Sequence, residues 1–222
     1  MPIITRNDCI KSGFFDTALA DRLRSNGAAL ADLGARGGSK PYFEPFHSLL
    51  CFTGFDADPK GADASERDLR GQWQDYRIMP HALWSKEETV HLHITDNPVN
   101  CSIYQPSAYY RDRYAMKGFD VIKDETMQAT TLDALSAKEE RPFPEIMKVD
   151  TQGAELEIFK GGKQTLPAHT QVIISEVLFF EVYDQCPLFS DIEGYLRTLG
   201  FTFYGFIEFN YRSSKRLEKH RS

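Results

Sequence analysis

The stretch Ile146–Gly162, IMKVDTQGAELEIFKGG, decides the fold. Ile146, Met147 and Val149 read as the end of a buried strand, and Asp150, Thr151, Gln152 and Gly153 as a short polar turn. Ala154, Leu156, Ile158 and Phe159 then recur at helical spacing, and the pair Gly161-Gly162 is expected to end the helix with positive φ. A strand that stops at an acid and turns directly into a helix is the repeating unit of an open α/β sheet, whose carboxyl edge binds ligands. At this point Asp150 fits two roles, a helix N-cap and a ligand contact.

Composition sets the frame around this unit. A soluble chain of 222 residues, 41% hydrophobic, buries ~70% of its unfolded surface, enough for one α/β domain. The net charge of -6 argues against electrostatic binding of nucleic acid. The only basic cluster, Arg212 to Arg221, reads as a solvated tail. The four cysteines are widely spaced and form no CxxC pair, so neither a zinc site nor a disulfide framework is signalled. No apolar run reaches the ~18 residues of a membrane span and no signal-peptide core is seen, so a cytoplasmic protein is expected.

Upstream, residues 14–25 carry the pattern of one amphipathic helix that stops at Asn26-Gly27. Residues 1–27 are taken as a helical extension and 28–222 as the main domain. Ala28–Ala35 is a short apolar strand leading into Gly34-Ala35-Arg36-Gly37-Gly38. A strand followed by a glycine-rich turn suggests a nucleotide-type cofactor, because glycine lets the backbone approach a ligand. The spacing is GxxGG rather than GxGxxG, and Asp32 stands just before it. A carboxylate there disfavours a pyrophosphate and suits a cofactor with a cationic amino-acid head. Leu49–Phe55 is the next strand, ending at Asp56, where an acid can accept both hydroxyls of a ribose. The short connection between the two, with Pro41 and Pro45, demands an abbreviated crossover.

Further along, Ala62–Trp73 is polar but helix-competent, and Tyr76–Leu83 reads as a third strand with His81 near the pocket. Thr89–Ile94 alternates as an edge or hairpin strand. Its His91 and His93 fit a solvated strand face better than a metal site, and no metal is called for. Phe119–Ile122 and Met127–Thr131 are expected as two short strands, with a helix from Leu132. Gln171–Leu178 has the pattern of a buried parallel strand, interrupted by the acid Glu176. A helix over 189–199 with Ser190 as N-cap and a last strand at Phe201–Ile207 complete a parallel, doubly wound sheet.

These motifs resemble the FkbM-type methyltransferases. KVDTQGAELEIFKGG at 148–162 looks like the family signature, ADLGARGG at 31–38 its S-adenosylmethionine loop, and GFDADP at 54–59 its second-strand acidic motif, with Asp56 where glutamate is more usual. PHALW (80–84), CSIYQP (101–106), TTLDAL (130–135) and PLFSDIEGYLRTLGF (187–201) also fit. The resemblance covers about residues 28–207 and implies a Rossmann-like class I fold and methyl transfer from S-adenosylmethionine to oxygen. It implies cofactor contacts from Asp32, Gly34, Ala35, Gly37, Gly38, Asp56 and Asp150, with the Met79–Leu83 region, Ala82 included, near the adenine. Family acceptors are typically hydroxyls of sugars, glycans or secondary metabolites. An alcohol acceptor needs a base near the transferred methyl. Asp150, Glu155, Glu176 and His81 are the candidates, Asp150 first, with bracing of the turn as the other role for Glu155.

Class I methyltransferases finish with an antiparallel strand that this chain does not offer after Ile207. Two readings follow, a truncated form or a sheet completed by a partner strand in a homo-oligomer. A non-catalytic assembly module of the same fold is therefore the competing function. A nicotinamide-dependent oxidoreductase is opposed by the GxxGG loop with Asp32 ahead of it.

Overall fold

The structure is a computed structural model that describes residues 5–35, 41–57, 73–138 and 144–210. Its residues group into two compact units. One comprises the chain up to Ala82, Ala134–Asp150 and Gln164–Ser175, and the other Leu83–Asp133, Thr151–Lys163 and the chain from Glu176.

The first unit is a five-stranded parallel sheet. Its strands are β1 (Ala28–Leu33), β2 (Leu50–Phe55), β3 (Asp75–Met79), β7 (Ile146–Val149) and β8 (Val172–Ser175), in the order β3-β2-β1-β7-β8. Three further strands lie between β3 and β7 in sequence and form a separate sheet. The chain starts at the centre and winds first one way, through β2 and β3, then the other, through β7 and β8. The reversal at β1 is the topological switch point at which open α/β sheets bind ligands. Helices α1 (Arg6–Lys11) and α2 (Ala18–Asn26) precede the sheet. The single helix expected over 14–25 is interrupted, because Gly13 at φ 69° starts a 3-10 turn over Phe14–Asp16 and Thr17 caps α2 afresh through the amide of Ala20. Gly27 at φ 70° ends α2, as its sequence position suggested. The abbreviated crossover between β1 and β2 is a 3-10 helix over Pro41–Leu49. Phe43, Leu50, Phe52 and Trp73 form the core with Leu30 and Ala28, Phe52 stacking on Tyr76 at 5.0 Å between ring centres.

The run Gln171–Leu178 is not a buried central strand. Only Val172–Ser175 pairs, on one side, with β7, and Val172 is 47% exposed. Among the described residues β8 is the edge of this sheet.

The second unit holds β4 (Ala82–Leu83, where the chain passes into it), β5 (Glu88–Thr95) and β6 (Val121–Thr130), a sheet of order β4-β6-β5 with β5 and β6 antiparallel. Tyr76–Leu83 is thus two strands, split after Met79 at Pro80. Conversely, the two short strands expected at 119–122 and 127–131 are one, because the polar run Lys123–Thr126 pairs along β5 with its side chains exposed or half-buried. His93 and Asp124 meet across these strands at 2.6 Å. The unit also contains α3 (Ala108–Tyr114), α5 (Glu155–Lys160) and α7 (Phe189–Thr198). Helix α4 (Leu132–Lys138) starts in it, and α6 (Thr165–His169) belongs to the first unit. Helix α7 starts from Leu188, whose amide donates to the Asp191 carboxylate at 2.8 Å, so Asp191 and not Ser190 satisfies the first turn. Tyr110, Phe119, Val182, Tyr183 and Cys186 make the core. Phe201–Ile207 is not a strand and its side chains are largely exposed. All four cysteines are free thiols, and among the described residues no helix is long and apolar enough to cross a membrane. The polar segment 62–72 and the basic tail from Arg212 lie outside the described residues.

Gly161 ends α5 in ordinary helical geometry, at φ -70°, and not with positive φ. Its role is steric. A Cβ at this position would stand 2.1 Å from the carbonyl oxygen of Trp84, which is backbone and cannot rotate away. Gly161→Ala is expected to cost about 1–3 kcal/mol or more, as overpacking does, and to lower Tm in a calorimetric scan.

Candidate functional site

The carboxyl ends of four adjacent strands are tied together by backbone hydrogen bonds. The Asp150 amide, following β7, donates to the Leu33 carbonyl of β1 at 3.0 Å. The amides of Gly34 and Ala35 both donate to the Phe55 carbonyl of β2, at 3.0 and 3.1 Å. The Asp56 amide donates to the Met79 carbonyl of β3 at 3.3 Å, and His81 donates to the same oxygen at 2.9 Å. Gly34 turns with φ 78°, which a side chain would strain. Asp32 opposes Gly54 on one side and Lys148 on the other.

This lacing brings three of the expected acids to one sheet edge. Asp32 is fully buried, Asp56 is buried and Asp150 is half-buried. Asp150 is not the helix cap. Helix α5 begins five residues later, at Glu155, with Ala154 in the N-cap position. Gly34 and Ala35 lie at the same edge, His81 and Ala82 follow β3, and Gly37 and Gly38 fall outside the described residues.

The residue not foreseen as part of the site is Lys148. Its side chain is buried, and Nζ lies 2.9 Å from Asp32 Oδ1 and 3.7 Å from Asp150 Oδ2, donating also to the Gly34 carbonyl at 3.3 Å. The signal was present in the sequence. A lysine in a strand as apolar as Ile146–Val149 must find a carboxylate or pay heavily for burial. Lys148 thereby links the end of β1, the glycine turn and the first residue after β7.

The turn that follows Asp150 belongs to the second unit and is held from several sides. Glu155, itself buried, accepts the Thr151 amide at 2.8 Å and its hydroxyl at 3.1 Å. Gln152 sits at φ 57°, rare for a residue with a side chain, and Gly153 follows at φ 101°. The Gln152 carbonyl accepts from Ser102 Oγ at 2.6 Å, its Nε2 donates to Glu176 at 3.0 Å, and its Oε1 lies 2.8 Å from the Tyr183 hydroxyl. Burial, then the charges of Glu176 and Glu155, push the Tyr183 phenol well above its ordinary range, so it stays a donor. Glu155 and Glu176 are therefore both engaged with this turn. Among the described residues no group of three or more histidine, cysteine or acidic side chains is arranged to hold a metal.

Removing the lysine tests the arrangement. Lys148→Met leaves Asp32 buried beside an apolar side chain, and an expected loss of about 3–5 kcal/mol should appear in chemical denaturation. Adding Asp32→Asn should recover part of that loss, which a double-mutant cycle measures.

The family model described as Methyltransferase FkbM domain matches residues 29–203. No curated protein and no solved structure matches the chain. The match takes in the glycine turn, Asp56 and the whole of the Lys148–Gly162 stretch, and with them all five strands of the parallel sheet but the first residue of β1. On these grounds the chain belongs to the FkbM methyltransferase family, and its function is methyl transfer.

Proposed function

We propose that the methyl donor is S-adenosylmethionine and that the acceptor is a hydroxyl of a sugar, glycan or secondary metabolite. The observation that carries this reading is the sheet register, which sets Gly34, Asp56 and Asp150 at the ends of β1, β2 and β7, three neighbouring strands. The residues fit the donor. Carboxylates at a strand edge accept from an ammonium group and from ribose hydroxyls, and a glycine turn leaves the backbone open to close approach. When bound, S-adenosylmethionine supplies a methyl group already activated on a sulfonium.

The chain's own residues then bind and align. Asp32, fully buried and fixed by Lys148, lies behind the turn of Gly34 and Ala35, beside which the methionine part and its amino group would be held. Asp56 takes the ribose hydroxyls, and Ala82 packs by the adenine. Asp150 accepts the proton of the acceptor hydroxyl, its position set by its amide bond to Leu33 and by Lys148. Glu155 braces the turn behind it, which leaves the base role to Asp150 before Glu176 or His81.

Calorimetry with S-adenosylhomocysteine should show one site per chain, and Asp56→Ala should weaken it at least tenfold, about 1.4 kcal/mol. A folded sample that gives no binding up to about 1 mM ligand overturns the reading. Asp150→Asn should lower transfer of labelled methyl to a hydroxyl acceptor by about a hundredfold or more while the protein stays folded.

A further inference from the structure

Gln152, two residues past Asp150, is held by side chains from three other stretches of the second unit. Ser102 Oγ donates to its carbonyl at 2.6 Å. Its Nε2 donates to Glu176 Oε2 at 3.0 Å, and the Tyr183 hydroxyl donates to its Oε1 at 2.8 Å. These partners give the amide one orientation. An ionised carboxylate accepts and does not donate, so the amino end faces Glu176. The Tyr183 hydroxyl, which burial keeps protonated, lies between two acceptors, Oε1 and the Asn100 carbonyl at 3.1 Å. Turned over, the amide would set its oxygen against the Glu176 carboxylate. Gln152 is therefore a neutral bridge of fixed polarity between a phenol and an acid.

The backbone held in this way is one that a side chain resists. Gln152 sits at φ 57°, in the left-handed region. Gly153 packs onto the same anchor, where a Cβ would lie 3.2 Å from Cys186 Cβ and 3.6 Å from the Tyr183 ring. Thr151, between Gln152 and Asp150, is tied at both its amide and its hydroxyl by Glu155. A backbone change at Gln152 is thus not absorbed at Thr151 and reaches Asp150, where the turn begins.

We propose that Gln152 is a positioning residue for methyl transfer, its amide bridge between Tyr183 and Glu176 setting the backbone from which the Asp150 carboxylate is aimed. The inference rests on the reading of Asp150 as the base. It also requires a neutral residue at the bridge. A glutamate of the same shape would bring two carboxylates to the 3.0 Å that Nε2 now spans, and like charges so close cannot both stay ionised without cost.

Carbon-13 spectra of the full chain labelled at its aspartate carboxyls test this, with the Asp150 signal assigned by its loss in Asp150→Asn. Gln152→Glu, folded by circular dichroism, should shift or broaden the Asp150 signal. Adding Glu176→Gln to it exchanges the two groups, again sets one amide donor against one carboxylate and leaves an acceptor for Tyr183, so the signal should return. Tyr183→Phe, which removes only the hydroxyl, should disturb the same signal and carries the test if Gln152→Glu does not fold. A merely structural bridge would lower Tm in these variants and leave the Asp150 signal in place, and that result overturns the proposal. So does a disturbed signal that the exchanged pair fails to restore. The spectra need no acceptor, so they are independent of whether Asp150→Asn lowers methyl transfer, the result on which the base role itself depends.

Discussion

Much of this structure depends on one buried ion pair, between Asp32 on the central strand and Lys148 on its neighbour. Neither group would enter a parallel sheet alone, since a lone charge there costs several kcal/mol. Together they define which residues of β1 and β7 lie side by side. In a sheet, a slip of one residue turns every side chain to the opposite face. Such a slip would separate these two charges and strand each of them among apolar neighbours. The pair therefore acts as a register pin, and the register decides where Gly34 and Asp150 come to rest. Because Lys148 also reaches the Gly34 carbonyl and Asp150, one cation coordinates the parts of the edge that the strands bring near.

The turn after Asp150 shows a second constraint of a different kind. Gln152 occupies a backbone conformation that a side chain normally avoids, and it does so under hydrogen bonds from Ser102 and with Tyr183 and Glu176 against its amide. Unfavourable backbone geometry persists where surrounding contacts over-determine it, and such places cluster at functional sites. Glu155 adds a buried carboxylate whose acceptor capacity is directed at Thr151. Glu155 and Glu176, two further acids, both hold this loop.

The parallel strands, the acids at their ends and the glycine turn are legible in the sequence because each has a local signature. Apolar runs that stop at Asp56 or Asp150 mark the edge, and Gly34 marks the tight turn. What escapes is what depends on partners remote in sequence. Lys148 looked like a neighbour of the turn because nothing local says that Asp32 faces it. Val172–Ser175 and Phe201–Ile207 have equally apolar compositions, yet one pairs on a single side and the other does not pair, since hydrogen-bond partners are set by topology. The helical pattern from Ala154 matches the start of α5, whereas the cap role that Asp150 could have filled is excluded only by the turn itself, in which Glu155 accepts from Thr151. Gly161 reads as a helix terminator but is required by the Trp84 carbonyl, which no spacing rule reveals.

The pairing of Leu30 with Ile146 has a consequence for how the molecule forms. Strands β1, β2 and β3 are close in sequence and can meet early, whereas β7 follows after the whole segment Leu83–Asp133. Contacts of such sequence separation are slow to form, because loop closure must precede any gain from them. Until β7 arrives, Asp32 lacks its lysine partner, so the acidic edge is completed in the same step that adds β7 to the sheet.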